Sequence, residues 1–170
     1  MRSINFNSKL YVNPVKDYKE HKDILLKLID DMPPVMAGHV TRSDWLIQTQ
    51  VDRPYLDYFY KNISKLVMFT LREKFKAVNY NITNGWYQQY RKGAYHQYHN
   101  HVRANFTNIF YLELPDSNYK TIIKDDDGKL ISFQVKEGDL ITFPAYLLHK
   151  SKPNGVKRKT IISFNSNFLY

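Results

Sequence analysis

Apolar positions along the chain change their period near residue 79. Before that point the spacing is helical: Tyr18, Leu25, Leu28, Ile29 and Met32 recur at intervals that put them on one helix face. Asn13-Pro14 reads as an N-cap followed by proline at the first helical position, and Pro33-Pro34 stops the run. A second amphipathic helix is predicted from Asp52-Arg53-Pro54 to about Lys76, with Leu56, Phe59, Tyr60, Ile63, Leu66, Val67 and Thr70 on one face. Residues 35–51 show little periodicity, and a short strand is expected from Asp44 to Gln50.

From Asn79 onward short β-rich runs alternate with turn chemistry at Asp116-Ser117-Asn118, Asp125 to Gly128, Glu137-Gly138-Asp139 and Pro153-Asn154-Gly155. Strands are expected at about 81–91, 94–101, 105–113, 119–124, 129–136, 139–143, 146–150 and 158–167. The fold class this predicts is mainly β with N-terminal helices, α+β overall: a sandwich, barrel or jelly roll whose helices buttress one sheet. No repeat or linker interrupts the sequence, so residues 1–170 read as one domain, 1–78 a helical support and 79–170 the β core.

Composition narrows the chemistry. With no cysteine in the sequence, thiolate metal sites, disulfides and cysteine nucleophiles are excluded, and any metal must use His, Asp or Glu. Twenty-five Lys and Arg against sixteen Asp and Glu give a net charge of +9, which favours anionic partners; the densest run is Lys150 to Lys159. No apolar stretch is long enough to span a bilayer and the opening residues lack a signal-like apolar run, so a cytoplasmic protein without membrane partners is expected.

Three histidines stand out. His99 and His101 are two residues apart, so on a strand they share a face, while His96 and Asn100 point away. His149 follows the apolar run Asp139 to Leu148 and is placed to supply a third ligand from a neighbouring strand. Three imidazoles with open positions suit iron, zinc, nickel or copper. Read as spacing alone, the same residues also fit polar strand positions or hydrogen-bonded core histidines.

The segment WYQQYRKGAYHQYHNH, Trp86 to His101, resembles the start of the catalytic core in prolyl-4-hydroxylase-like 2-oxoglutarate/Fe(II)-dependent oxygenases: tyrosine, two residues, glycine, then a His-x-Asp pair. Tyr90, Gly93 and His99 fall at the matching spacings. Downstream, NIFYLELP (Asn108 to Pro115), EGDLITFPAYLLHKSKP (Glu137 to Pro153) and KTIISFN (Lys159 to Asn165) resemble the family's later core elements, in the same order. The flavour is that of small bacterial and phage-type members with His-x-His, and the sequence departs from the commoner pattern where His101 replaces a carboxylate.

The resemblance implies a double-stranded β-helix (a jelly roll, cupin-like), with Fe(II) held by His99, His101 and His149, 2-oxoglutarate as small-molecule cosubstrate, and O2. It implies hydroxylation of a prime substrate coupled to decarboxylation of 2-oxoglutarate to succinate. Lys159, ten residues after His149, matches the cationic anchor for the distal carboxylate, with Arg158 its rival on the opposite strand face. Tyr111 and Tyr90 match tyrosines of the cosubstrate pocket, and Trp86, Tyr98 and Arg103 are placed at the substrate mouth. Gly93 is read as the turn into the histidine strand. The prime substrate stays open among protein side chains, small metabolites and nucleic acid. The cytoplasm is that of a cell or, for a phage-encoded enzyme, of its host, and the first seventy residues could offer a homodimer surface. The competing readings are a zinc-type three-histidine hydrolase, a cupin-like metal-binding protein, and a non-catalytic binding module.

Overall fold

In the computed structural model, which describes residues 2–5, 9–33, 38–47 and 51–170, the chain forms two antiparallel sheets and a few helices. The strands are β1 (Arg2–Asn5), β2 (Lys9–Pro14), β3 (Arg42–Ser43), β4 (Asn79–Tyr90), β5 (His96–His99), β6 (Phe106–Glu113), β7 (Ile122–Ile123), β8 (Asp139–Pro144), β9 (His149–Ser151) and β10 (Lys159–Leu169). Seven make a large sheet in the order β1-β2-β8-β6-β10-β4-β3, and three make a small one, β5-β9-β7. The helices are α1 (Tyr18–Asp30), α2 (Pro54–Phe59) and α3 (Lys65–Phe75), the last two joined by a π-helical turn, Tyr60–Ser64. Among the described residues no helix is long and apolar enough to cross a membrane.

The period-two pattern of β10 explains the layering. Ile162 and Phe164 join Phe110, Leu112, Tyr87 and Leu140 beneath the helices, against Leu25, Ile29, Phe59 and Leu71. Ile161 faces the other way, into a second core with Tyr90, Ile109, Tyr111, Ile141 and Phe143 of the large sheet and Ile123 of the small one. One sheet thus separates a helix-packed core from an inter-sheet core.

Several sequence expectations need correction. The N-terminal stretch is not only a helical support: β1, β2 and β3 belong to the large sheet, and Asn13-Pro14 ends β2, paired with Leu140 and Asp139 of β8, instead of capping a helix. Helix α1 begins four residues later, after Asp17 in the left-handed region. Its predicted face holds, with Leu25, Ile29 and Met32 buried. On the second helix Leu66 is 73% exposed and Thr70 is exposed, because the π turn takes an extra residue and rotates the later face onto Val67, Met68 and Leu71. The strand expected from Asp44 to Gln50 is displaced to Arg42–Ser43, residues 44–47 forming bends and turns, and its last three residues, like Pro34, lie outside the described residues. Residues 129–136 keep the expected alternation, burying Ile131, Phe133 and Val135, but make only one bridge, Lys124 to Leu130, and so no ladder.

Candidate metal centre

β5 and β9 pair through His99 and His149, and the chain leaves β5 directly into His101. One ligand atom from each of His99, His101 and His149 lies within 4.8 Å of the others. His101 therefore reaches the cluster from just beyond the strand, and its backbone N–H donates to Ala145 O (2.8 Å).

The hydrogen bonds decide which ring nitrogen is free. Nδ1 of His99 lies 2.9 Å from Gln97 O, and Nδ1 of His149 lies 3.0 Å from Leu147 O. Carbonyl oxygens only accept, so each Nδ1 carries the proton and each Nε2 keeps its lone pair. For His101 the acceptor is Asn165 Oδ1 at 2.6 Å, with Thr107 Oγ1 2.9 Å from the same Nδ1 and itself donating to Asn165 (3.3 Å). All three imidazoles thus offer Nε2, the arrangement metal-ligating histidines adopt. Burial, reinforced by neighbouring imidazoles, holds His149 down at about 3; the pKa values of His99 and His101 are lowered as well, chiefly by burial. The rings are neutral at pH 7 and need lose no proton to bind a cation.

His96, expected to face away, lies on the site. The β5–β9 register shifts between His96 and His99, so a three-residue offset, which in a regular strand would reverse the face, brings the two rings to 4.0 Å. Burial beside the other histidines lowers its pKa to about 4, and its Nδ1 lies 3.5 Å from Gln88 Nε2. Strict alternation could not find it. It could have found Thr107, two and four residues before Ile109 and Tyr111 on β6, and Ser151, two after His149 on β9.

Tyr90, Thr121, Ser151, Ile161 and Ser163 line the same cavity, and against two of them, Tyr90 and Ser151, lies Lys159, 1% exposed. Its Nζ donates to Tyr119 O (3.0 Å) and to Ser151 Oγ and lies 4.1 Å from the centre of the Tyr90 ring. No carboxylate pairs with it among the described residues, and burial pushes its pKa down to about 7. The Tyr111 hydroxyl, fully buried, accepts from Thr121 N (3.1 Å) and also meets the Thr121 side chain; the Tyr90 hydroxyl donates to Gln88 Oε1 (3.0 Å). Arg158 is turned to the other side, paired with Glu113 (2.7 Å) and Asp30 (3.5 Å). Outward from the histidines the cavity widens into a cleft of about 820 Å³ walled by Trp45, Trp86, Tyr98, Val102 and Arg103.

This arrangement, two antiparallel sheets with helices packed on the larger one, is similar in fold to solved structures of 2OG-Fe(II) oxygenases. An oxidoreductase of that family from Burkholderia pseudomallei superposes with a TM-score of 0.72 at 12% identity, over 92% of this chain and 84% of its own. A Pseudomonas putida prolyl-4-hydroxylase gives 0.63 at 12% identity over 92% and 91%, and the viral collagen prolyl hydroxylase of Paramecium Bursaria Chlorella virus-1, in its 2OG complex, 0.61 at 16% identity over 94% and 97%. No protein-family model and no curated protein matches at the level of sequence.

Proposed function

We propose that the chain is one double-stranded β-helix domain acting as an Fe(II)/2-oxoglutarate-dependent dioxygenase that hydroxylates its prime substrate. The observation that carries this reading is a pair of neighbouring sites: three imidazoles with Nε2 free around one cavity, and, against the cavity wall at Tyr90 and Ser151, a buried lysine that pairs with no carboxylate among the described residues. The donor set fits a first-row divalent metal with open positions. A bound iron(II) would supply oxygen activation coupled to decarboxylation of 2-oxoglutarate to succinate.

The chain's own residues would then do the positioning. His99, His101 and His149 hold the metal, with Gln97, Leu147 and Asn165 fixing their tautomers. Lys159 receives the distal carboxylate, supported by the Tyr111 hydroxyl, while the Tyr90 ring and Ile161 exclude water. Arg158, committed to Glu113 and Asp30, leaves that role to Lys159. The 2OG complex of the chlorella virus enzyme, alike in fold, supports the same cosubstrate here. With His101 in the carboxylate's place, three neutral ligands leave the metal's charge uncompensated, strengthening its attraction for a dianionic cosubstrate. A zinc-type hydrolase would use the histidines but would leave Lys159 without a purpose. Anaerobic addition of iron(II) and 2-oxoglutarate should produce a visible absorption band and, with O2, succinate; both should disappear in His149→Ala, and Lys159→Ala should require far more cosubstrate. Zinc-supported hydrolysis without cosubstrate would refute the reading.

A further inference from the structure

The cleft outside the histidines has one-sided chemistry: His39, Trp45, Tyr98 and Arg103 are among its lining residues, and among the described residues no carboxylate is. Trp45, 49% exposed, stands edge-on to Trp86 at 4.4 Å between ring centres, and Trp86 in turn lies 5.4 Å from His101. An exposed indole is therefore one ring removed from a proposed metal ligand. Its backbone is held firmly, because the adjacent Asp44 is fully buried and accepts from Tyr55 Oη and Tyr87 N while pairing with Arg53 (3.1 Å).

Tyr98 leads from this cleft onto the outer face of the small sheet. On β9 His149 and Ser151 are buried, while Lys150 between them, Lys152 after them and Tyr98 on the paired β5 are half-exposed. Lys124 and Lys150 both set their ammonium groups over the Tyr98 ring, at 4.6 and 4.4 Å, and Lys152 sits over Tyr119 at 5.1 Å. None of these lysines belongs to an ion pair among the described residues. The acids nearest in sequence are used in their own turn: Asp125 accepts from Asp127 N and Lys129 N, Asp126 from Tyr146, and Asp127 faces Lys129. Two ammonium groups gathered on one ring repel each other unless an anion lies between or beside them.

We propose that this continuous surface takes single-stranded nucleic acid, with phosphates on Lys124 and Lys150 and a base stacked on Trp45 in the cleft that opens on His99, His101 and His149. An anionic chain satisfies the lysines; only one that also carries planar groups satisfies the exposed indole and the acid-free cleft. A protein segment of acidic residues without aromatics meets the first condition alone. The proposal deepens the oxygenase reading by naming its substrate class, but binding itself needs neither metal nor turnover.

The test uses the full metal-free chain and a fluorescein-labelled oligothymidylate of about twelve nucleotides, followed by anisotropy over roughly 20 to 200 mM KCl. Binding should weaken with salt, and Lys124→Gln/Lys150→Gln should lower the log–log slope by about 1.4, two phosphates' worth. Trp45→Leu should weaken binding about 5- to 100-fold and remove most of the tryptophan quenching. The charge-matched Lys61→Gln/Lys65→Gln, on the helical side, should leave the slope nearly unchanged. Absence of binding at low salt, an equal effect of the helical-side pair, or equally tight binding of a polyglutamate peptide would overturn the proposal. Nucleic-acid binding without an iron(II)–2-oxoglutarate absorption band would instead sink the oxygenase reading alone, and the band without binding would sink only this one.

Discussion

Lys159→Met replaces a buried ammonium with an apolar side chain of similar length, and its consequences follow from the lysine's surroundings. Burial without a carboxylate lowers this group from 10.5 to about 7. Keeping the charge at or below neutral pH therefore costs the metal-free fold on the order of 5 kcal/mol. Between pH 7 and 10.5 the unfolded chain keeps a lysine proton that the folded chain has lost, so this contribution makes stability rise with pH across that window. Lys159→Met should be more stable than the parent at pH 7 by a few kcal/mol, less about 1 kcal/mol for each bond lost at Tyr119 and Ser151. The advantage should vanish near pH 10.5. Urea midpoints of both proteins, measured without metal at several pH values, read this directly. The same substitution should weaken 2-oxoglutarate binding to the iron(II) form about 10- to 100-fold, the worth of one charge-assisted hydrogen bond. Cosubstrate binding to the parent near pH 8 should take up a proton, seen as a buffer-dependent heat. A variant no more stable than the parent at pH 7, with unchanged cosubstrate affinity, would refute both the uncompensated burial and the anchoring role.

Other outcomes are equally specific. Thr107→Val/Asn165→Leu removes the acceptors that fix the His101 tautomer and should weaken iron(II) binding about 10- to 100-fold, measured by chelator competition. His101→Asp brings a negative charge to the centre and should tighten iron(II) while loosening 2-oxoglutarate, two opposite shifts readable by titration. Acidification should destabilise the metal-free protein as pH falls from about 6.5 towards 4, because His96 and His149 charge only in the unfolded chain; urea midpoints at pH 7.5 and 5 would show it, and the fall should be shallower in His149→Leu. Asp44→Ala should cost about 3 to 5 kcal/mol by leaving Arg53 and Tyr87 N–H without their buried partner, lowering the thermal midpoint.

What the sequence revealed depended on whether a feature was local. Strands bounded by their own turns, such as β6, β8 and β10, were legible as short β-rich runs between turn residues, and alternation along β10 put Ser163 and Asn165 on the Lys159 face, where Asn165 holds His101. β2 was missed because its apolar run is only three residues long, Leu10 to Val12, and is followed at once by Asn13-Pro14, which imitates a helix start. Only its pairing with β8, distant in sequence, makes it a strand. His96 was misplaced because a bulge resets the face without a glycine or proline to announce it. The π turn at Tyr60–Ser64 left no mark on the apolar spacing either.

β10 pairs with β4 along its whole length and with β6 along much of it, so it cannot slide against either neighbour. Its residues serve two masters in strict succession: Ile161, Ser163 and Asn165 for the cavity and its cleft, Ile162 and Phe164 for the helices. A single inserted or deleted residue near its start would exchange Lys159 for a neighbour and turn Phe164 towards the histidines. Drift in specificity is therefore confined to side-chain replacement and to the loops at the mouth. For engineering, grafts should be tried in the Trp45 and Val102 segments, with β10 left at its present length.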